Sequence, residues 1–293
     1  ATRHPAARYG DVPLRAMAER GVEMPSLRAS KPARERGAQW LRQPSGGRKP
    51  VVVTLRQYDQ PNPFENVLFA LDTFKASPLV NAPGEKHAYT THGFILLSAA
   101  VERAGEQKFA HQVRDRIAKP LGLETLQPDY QWIDIPNRTI GYRKRQNKIV
   151  VSSNTDVSWK LGGGGYISNI DDLTKLGEGL LKGKLVKPET LKQMWTPRKT
   201  STGKQTSYGL GFRQWNFVDG RLQGSSTNIS ESELKDKITM RLIGHSGSQE
   251  KTKTLLVLEP SRKFGMALMA NSEHTKIYEA AEALLKAAIP QKP

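Results

Sequence analysis

A chain of 293 residues with 37% hydrophobic residues is long enough to bury a substantial core and suits one large domain or two smaller ones. The absence of cysteine excludes disulfides, thiolate catalysis and cysteine-ligated zinc, and no apolar run approaches the roughly eighteen residues that a membrane-spanning helix needs. The formal net charge of +17 invites a nucleic-acid reading, but no nucleic-acid module and no dense basic run is present, so generic attraction to anionic lipid or cell-wall polymer is the safer inference. No cofactor, metal, nucleic acid or membrane span is expected.

The chain starts at Ala1 without a basic-then-apolar leader, which suggests a mature or truncated product; a periplasmic or secreted protein is expected. Residues 1–52 read as a divergent N-terminal segment, rich in Arg, Pro, Gly and Ala, with no sustained period of 3.6 or 2. Residues 1–56 hold twelve Lys and Arg against four Asp and Glu. Orderly patterning begins at VTLRQ (53–57), so residues 53–293 are taken as one domain, with a helical subregion near 60–200 and a sheet with a terminal helix near 205–289.

TTHGFILLSAAVERAG (90–105) predicts a helix: a Thr cap, Phe94, Leu97 and Val101 on one face, and Gly105 as a stop. Tyr89 stands just before it. QKFAHQVRDRIAKPLG (107–122) predicts a second helix with Phe109, Val113 and Ile117 inward. YRKRQNK (142–148) reads as a solvated hairpin tip. The run GGGG (162–165) lacks the ending of a P-loop and the spacing of a dinucleotide fingerprint, so it reads as close backbone packing. SNIDDLTKLGEGLL (168–181) predicts a helix capped by Ser168, with Asp171 three residues on and Leu173, Leu176 and Leu180 on one face. A short helix over 188–197 follows.

Four strands are predicted over 208–215, 237–244, 252–260 and 264–271, then an amphipathic helix over 276–289 with Ile277, Ala281, Leu284 and Ala288 inward. Helices first, then a meander and a final helix, make the class α+β. RLIGHSGSQEKTKTLLVLEP (241–260) puts a histidine and a glycine at the mouth of a half-buried strand. Taken alone, His245 is a solvated loop histidine and Tyr89 a half-buried packing residue.

Several ordered stretches together change that reading: APGEKHAYTTHGFILLSAAVE, RIAKPLGLETL, GGGGYISNIDDLTKLGEGLL, VKPETLKQMWTP, YGLGF and IGHSGSQEKTKTLLVLEP. Over residues 53–289 the chain resembles the serine β-lactamase-like family, which includes class C β-lactamases, low-molecular-weight penicillin-binding proteins, related esterases and a mitochondrial β-lactamase-like serine protease. The stretch NPFENVLFALDTFKASPLVNAPGEKHAYTT (62–91) resembles the last of these.

The resemblance implies a β-lactamase-like fold and acyl transfer, which needs an activated hydroxyl, a proton carrier and an oxyanion hole. It implies that Tyr89 shuttles or orients a proton, and that His245 stabilises the phenolate and binds a substrate carboxylate. Gly247 would let the backbone approach substrate, and the Ser248 amide would be one oxyanion donor. Thr91 stands where the family's second motif has Asn, which turns specificity away from β-lactams.

The family's nucleophile and base come from a Ser-x-x-Lys motif, and none precedes VTLRQ. In ERGVEMPSLRASKP (19–32), Lys31 takes the base's place and Arg28 the nucleophile's, with Ser26 and Ser30 out of register. Ser30 and Lys31 are the candidate dyad. The pattern recurs at Ser201-Lys204, Ser232-Lys235 and Ser248-Lys251, in loop or strand-entry positions. Two functions stay open: a serine hydrolase acting on a small ester, amide or peptide, or a catalytically impaired relative that binds peptidoglycan-like peptides or a protein partner.

Overall fold

The computed structural model describes residues 67–224 and 237–288. Ser26, Ser30, Lys31 and the pair Ser232-Lys235 lie outside the described residues.

The helical part carries four short strands, β1 (Gln127–Pro128), β2 (Tyr142–Arg145), β3 (Lys148–Val151) and β4 (Tyr166–Ile167). The C-terminal half is organised by β5 (Arg213–Val218), β6 (Arg221–Gly224), β7 (Ile238–Gln249), β8 (Thr252–Glu259) and β9 (Phe264–Ala270). Among the described residues these make a five-stranded antiparallel sheet in the order β6-β5-β7-β8-β9. Alternation along the strands divides the side chains between two cores. Trp215, Phe217, Met240, Leu242, Leu255 and Val257 meet the final helix (Ile277–Ala288) through Ile277, Ala281 and Leu285. Leu258, with Leu256 packed alongside, faces Leu180 and Leu191 on the opposite side. Each such side chain, taken fully out of water, contributes about 1.5–3 kcal/mol.

The helical part holds a third core of Val67, Ala99, Ala110, Tyr130 and Leu161. Its main helix, α1, spans Thr91–Ala104. After it, α2 (Phe109–Val113) runs through a π turn at Arg114–Ala118 into α3 (Lys119–Leu121), which stops at Gly122 with φ 62°. Further on come α4 (Leu161–Gly164), α5 (Ile170–Leu181) and α6 (Pro188–Trp195), so the final helix is α7. The tip of YRKRQNK is a hairpin turn between Tyr142–Arg145 and Lys148–Val151, with Gln146 and Asn147 both at positive φ. Helices and antiparallel sheet together make the fold α+β.

Most elements form near their predicted bounds, with β7 running on to Gln249 so that His245 lies inside the strand rather than at its mouth, but several buried faces differ. On α1 the buried residues are Ile95, Ser98, Ala99 and Glu102, whereas Leu97 is 55% exposed and Val101 37%. Close approach of α4 is the reason. A Cβ on Gly162 would lie 2.7 Å from the Phe94 carbonyl oxygen and 2.6 Å from Ser98 Cβ, so this side of α1 must carry small groups. The Glu102 carboxylate accepts from the Phe109 N–H at 2.8 Å and caps the start of α2. There Ala110, Gln112 and Ala118 are buried in place of Val113 and Ile117. Replacing Gly162 by valine is expected to destabilise the protein by about 1–3 kcal/mol through overpacking, read as a lower urea midpoint. An unchanged midpoint would show that the two helices can separate freely.

Asn169, not Ser168, caps α5: its side chain accepts from the Asp172 N–H at 2.9 Å. Ser168 instead stands 3.3 Å from the Thr125 hydroxyl. On α7 the third inward residue is Leu285, at the spacing 277, 281, 285, while Leu284 is 49% exposed and Ala288 is exposed. The strand expected over 208–215 starts only at Arg213. Gly209 lies against α6, where a Cβ would sit 2.1 Å from the Met194 carbonyl oxygen, and Gly211 has φ 82°, so the chain turns before it extends. Asp219 and Gly220, both at positive φ, then make the turn into β6, which the sequence reading did not anticipate.

Candidate active site

Three chain segments meet where the helical part faces the sheet. Tyr89 ends the irregular approach to α1, His245 sits within β7, and Tyr208 precedes β5. The Tyr89 and His245 rings stack with centroids 6.0 Å apart, and Tyr208 meets both edge-on, at 6.0 Å from Tyr89 and 5.7 Å from His245. His87 completes the cluster, 5.6 Å from Tyr208.

Glycines hold this geometry together. On β7 a Cβ at position 244 would lie 1.8 Å from the Leu256 carbonyl oxygen, so Gly244 brings His245 tightly onto β8. A Cβ at position 247 would lie 2.3 Å from Thr254 Oγ1, so Gly247 has a packing reason of its own. The glycine run packs as expected: a Cβ on Gly163 would meet Thr91 Cγ2 at 2.6 Å. The Gln249 amide donates to the Gly164 carbonyl at 2.6 Å, which ties the end of β7 to the segment beside Thr91. A cavity of about 660 Å³ opens at His245, Ser246 and Gly247, walled mainly by apolar side chains including Ile117, Leu173, Leu176 and Leu256. Its size falls within the range of small-molecule pockets.

His245 Nε2 and the Tyr208 hydroxyl are hydrogen-bonded to each other at 2.6 Å. Burial holds His245 below the usual histidine range; the Ser246 carbonyl opposes this and the Arg213 cation adds to it. Tyr208 is pushed up to about 12, first by burial and then by Tyr89, with Arg213 pulling the other way. Tyr208 and His87 join the ring cluster without being expected from the sequence, although they lie in the quoted stretches YGLGF and APGEKHAYTT. Arg213 acts on His245 and Tyr208 through its charge.

The remaining candidates separate. Ser246 turns to the opposite sheet face, where its hydroxyl accepts from Tyr278 at 2.8 Å. Ser248 is exposed and pairs in register with Lys253, while Lys251 reaches Asn154. Ser201 and Lys204 lie in an exposed turn, with the Ser201 N–H donating to Gly84 at 2.8 Å. Among the described residues, no serine hydroxyl hydrogen-bonds to Tyr89 or His245.

A family model described as Beta-lactamase matches residues 21–289. The chain belongs to the β-lactamase family. It is 32% identical over 175 residues to the human serine beta-lactamase-like protein LACTB, mitochondrial, covering 53% of this chain and 31% of that protein. It is 25% identical over 233 residues to a putative D-alanyl-D-alanine carboxypeptidase of Escherichia coli O157:H7, covering 71% of this chain and 50% of that one. The matched stretch thus spans only 31% to 50% of the length of these relatives. Among solved structures, a penicillin-binding protein homologue from Pyrococcus abyssi has a TM-score of 0.58 at 23% identity, over 79% of this chain and 49% of that one. The D-amino acid amidase of Ochrobactrum anthropi SV3 gives 0.58 at 18%, over 76% and 63%. These two structures share the β-lactamase fold with this family member.

Proposed function

We propose that this β-lactamase family member is a serine hydrolase that works by acyl transfer on a small ester, amide or peptide substrate. The observation that carries the reading is the convergence of Tyr89 and His245 from two distant segments into ring contact, with centroids 6.0 Å apart. Tyr89 moves or orients a proton, the His245 side of β7 binds the substrate, and the Ser248 amide contributes to the oxyanion site. Ser30 is the proposed nucleophile and Lys31 its base. The peptidase and amidase names among the relatives support amide and peptide substrates. Charge supports a periplasmic or secreted setting, where a chain of net +17 meets anionic polymer.

A second reading rests on one observation: among the described residues, no serine hydroxyl reaches Tyr89 or His245. On that reading the chain binds peptidoglycan-like peptides or a protein partner without turning substrate over. Treatment with a fluorophosphonate followed by mass spectrometry separates the two. An adduct on Ser30 supports the hydrolase with that nucleophile, an adduct on Ser201, Ser232 or Ser248 moves the nucleophile, and a folded, unlabelled protein favours the binding role.

Substrate preference supplies another prediction. With Thr91 where an amide would reach for a β-lactam, a short-chain acyl phenol ester is expected to be hydrolysed faster than a cephalosporin. Rapid cephalosporin turnover without esterase activity would overturn that preference.

A further inference from the structure

The two ring nitrogens of His245 have different partners, and one proton placement satisfies both. Nδ1 lies 2.7 Å from the Ser246 carbonyl oxygen, which can only accept, so Nδ1 carries a proton. Nε2 lies 2.6 Å from the Tyr208 hydroxyl. In a neutral imidazole protonated at Nδ1, Nε2 presents a lone pair, and the Tyr208 O–H donates to it. Burial disfavours the imidazolium, and it keeps Tyr208 protonated. The other titratable or charged groups near the pair are Tyr89, His87 and Arg213, from the approach to α1 and the start of β5, and Arg116, which lines the cavity at His245 from the π turn.

We propose that Tyr208 is the positioning residue of this site, holding His245 in its Nδ1–H form and turning its own hydroxyl when the imidazole changes charge. A proton taken up by His245, from solvent or from a reacting hydroxyl, adds at Nε2. The new N–H donates to the Tyr208 oxygen. The Tyr208 O–H, released from the imidazole, is then free to donate to another acceptor beside the ring cluster, in which the Tyr208 and Tyr89 centroids lie 6.0 Å apart. Only the N–H formed and the donor's O–H broken change in this step. One consequence is that neutral His245 offers no spare N–H to an anionic substrate group, and Tyr208 becomes a donor there only once the imidazole is charged. The proposal deepens the acyl-transfer reading and rests on it for its catalytic meaning, whereas the proton placement is a property of the folded chain.

The test is nitrogen NMR of the full chain labelled with ¹⁵N-histidine, titrated across about pH 5 to 8, with His245→Asn to assign the ring. The expected result is a neutral ring protonated at Nδ1, with an Nε2 resonance displaced by an accepted hydrogen bond. In Tyr208→Phe that displacement disappears. Where wild type hydrolyses an ester, kcat falls about 10- to 100-fold with KM nearly unchanged, as for a misplaced catalytic group. A neutral ring protonated at Nε2, or an Nε2 resonance unmoved by Tyr208→Phe, overturns the proposal. The wild-type spectrum decides the proton placement even if the variant fails to fold. Absence of hydrolysis alongside the expected spectrum counts against the acyl-transfer reading and leaves the Tyr208–His245 arrangement standing.

Discussion

Tyr89→Phe is expected to lower kcat/KM for an activated ester by about 10²- to 10⁴-fold, the usual contribution of a positioned proton carrier. Stability should move by no more than about 0.5 kcal/mol, because the change removes one oxygen from a surface position. Tyr89 is 59% exposed, and its ring packs on His245 and Tyr208 through faces that phenylalanine keeps. Loss of activity together with an unchanged thermal midpoint therefore isolates the hydroxyl. Activity within about twofold of wild type would remove Tyr89 from the proton path. It would leave Tyr208 as the tyrosine that acts with His245.

Asp172→Ala is expected to have the largest effect on stability of any single change outside the cores. The Asp172 side chain is 2% exposed, and its Oδ2 accepts from the Thr125 N–H at 2.6 Å, the Thr125 hydroxyl at 2.7 Å and the Leu126 N–H at 3.2 Å. These bonds fasten the loop after α3 to the start of α5. Alanine leaves several donors unpaired, at about 1–3 kcal/mol each and not strictly additive, so a loss of about 3–5 kcal/mol is expected. Asn169→Ala, which removes only the cap of α5, should cost about 1 kcal/mol.

The pH dependence of the Asp172 effect follows from the direction of its pKa. Burial raises the carboxyl's pKa, but the hydrogen bonds from Thr125, Glu124 and Leu126 outweigh it, and the net shift is downward. A folded value below the unfolded one, about 3.9, means that the carboxylate stabilises the fold above that pH. The contribution is lost as pH falls through the lowered folded value. Urea titrations should thus show a constant gap between wild type and Asp172→Ala near neutrality, narrowing below about pH 4. A gap that does not narrow in acid would assign the loss to packing rather than to the charge.

The order and kind of most elements can be read from the residues alone, because each is written in a local period. The stop at Gly105, the left-handed Gly122 that ends α3, and the alternation in β7 and β8 each state a local conformation whose physics needs no distant partner. The sequence also marked Tyr89 and His245, since both lie in short stretches with a family likeness. Facing and contact were decided by the tertiary structure. The apolar period of α1 points to Leu97, but the glycines of α4 need a floor of small groups, so Ser98 and Ala99 face inward. Ser168 and Asn169 can both cap a helix, and the bonds that Asp172 makes to Thr125 go with the second. Tyr208 reaches His245 across 37 positions only because β5 pairs with β7 and Gly209 turns the chain beforehand. Local periods encode how much surface an element must bury, whereas its partner depends on volumes and hydrogen-bond donors supplied from far along the chain.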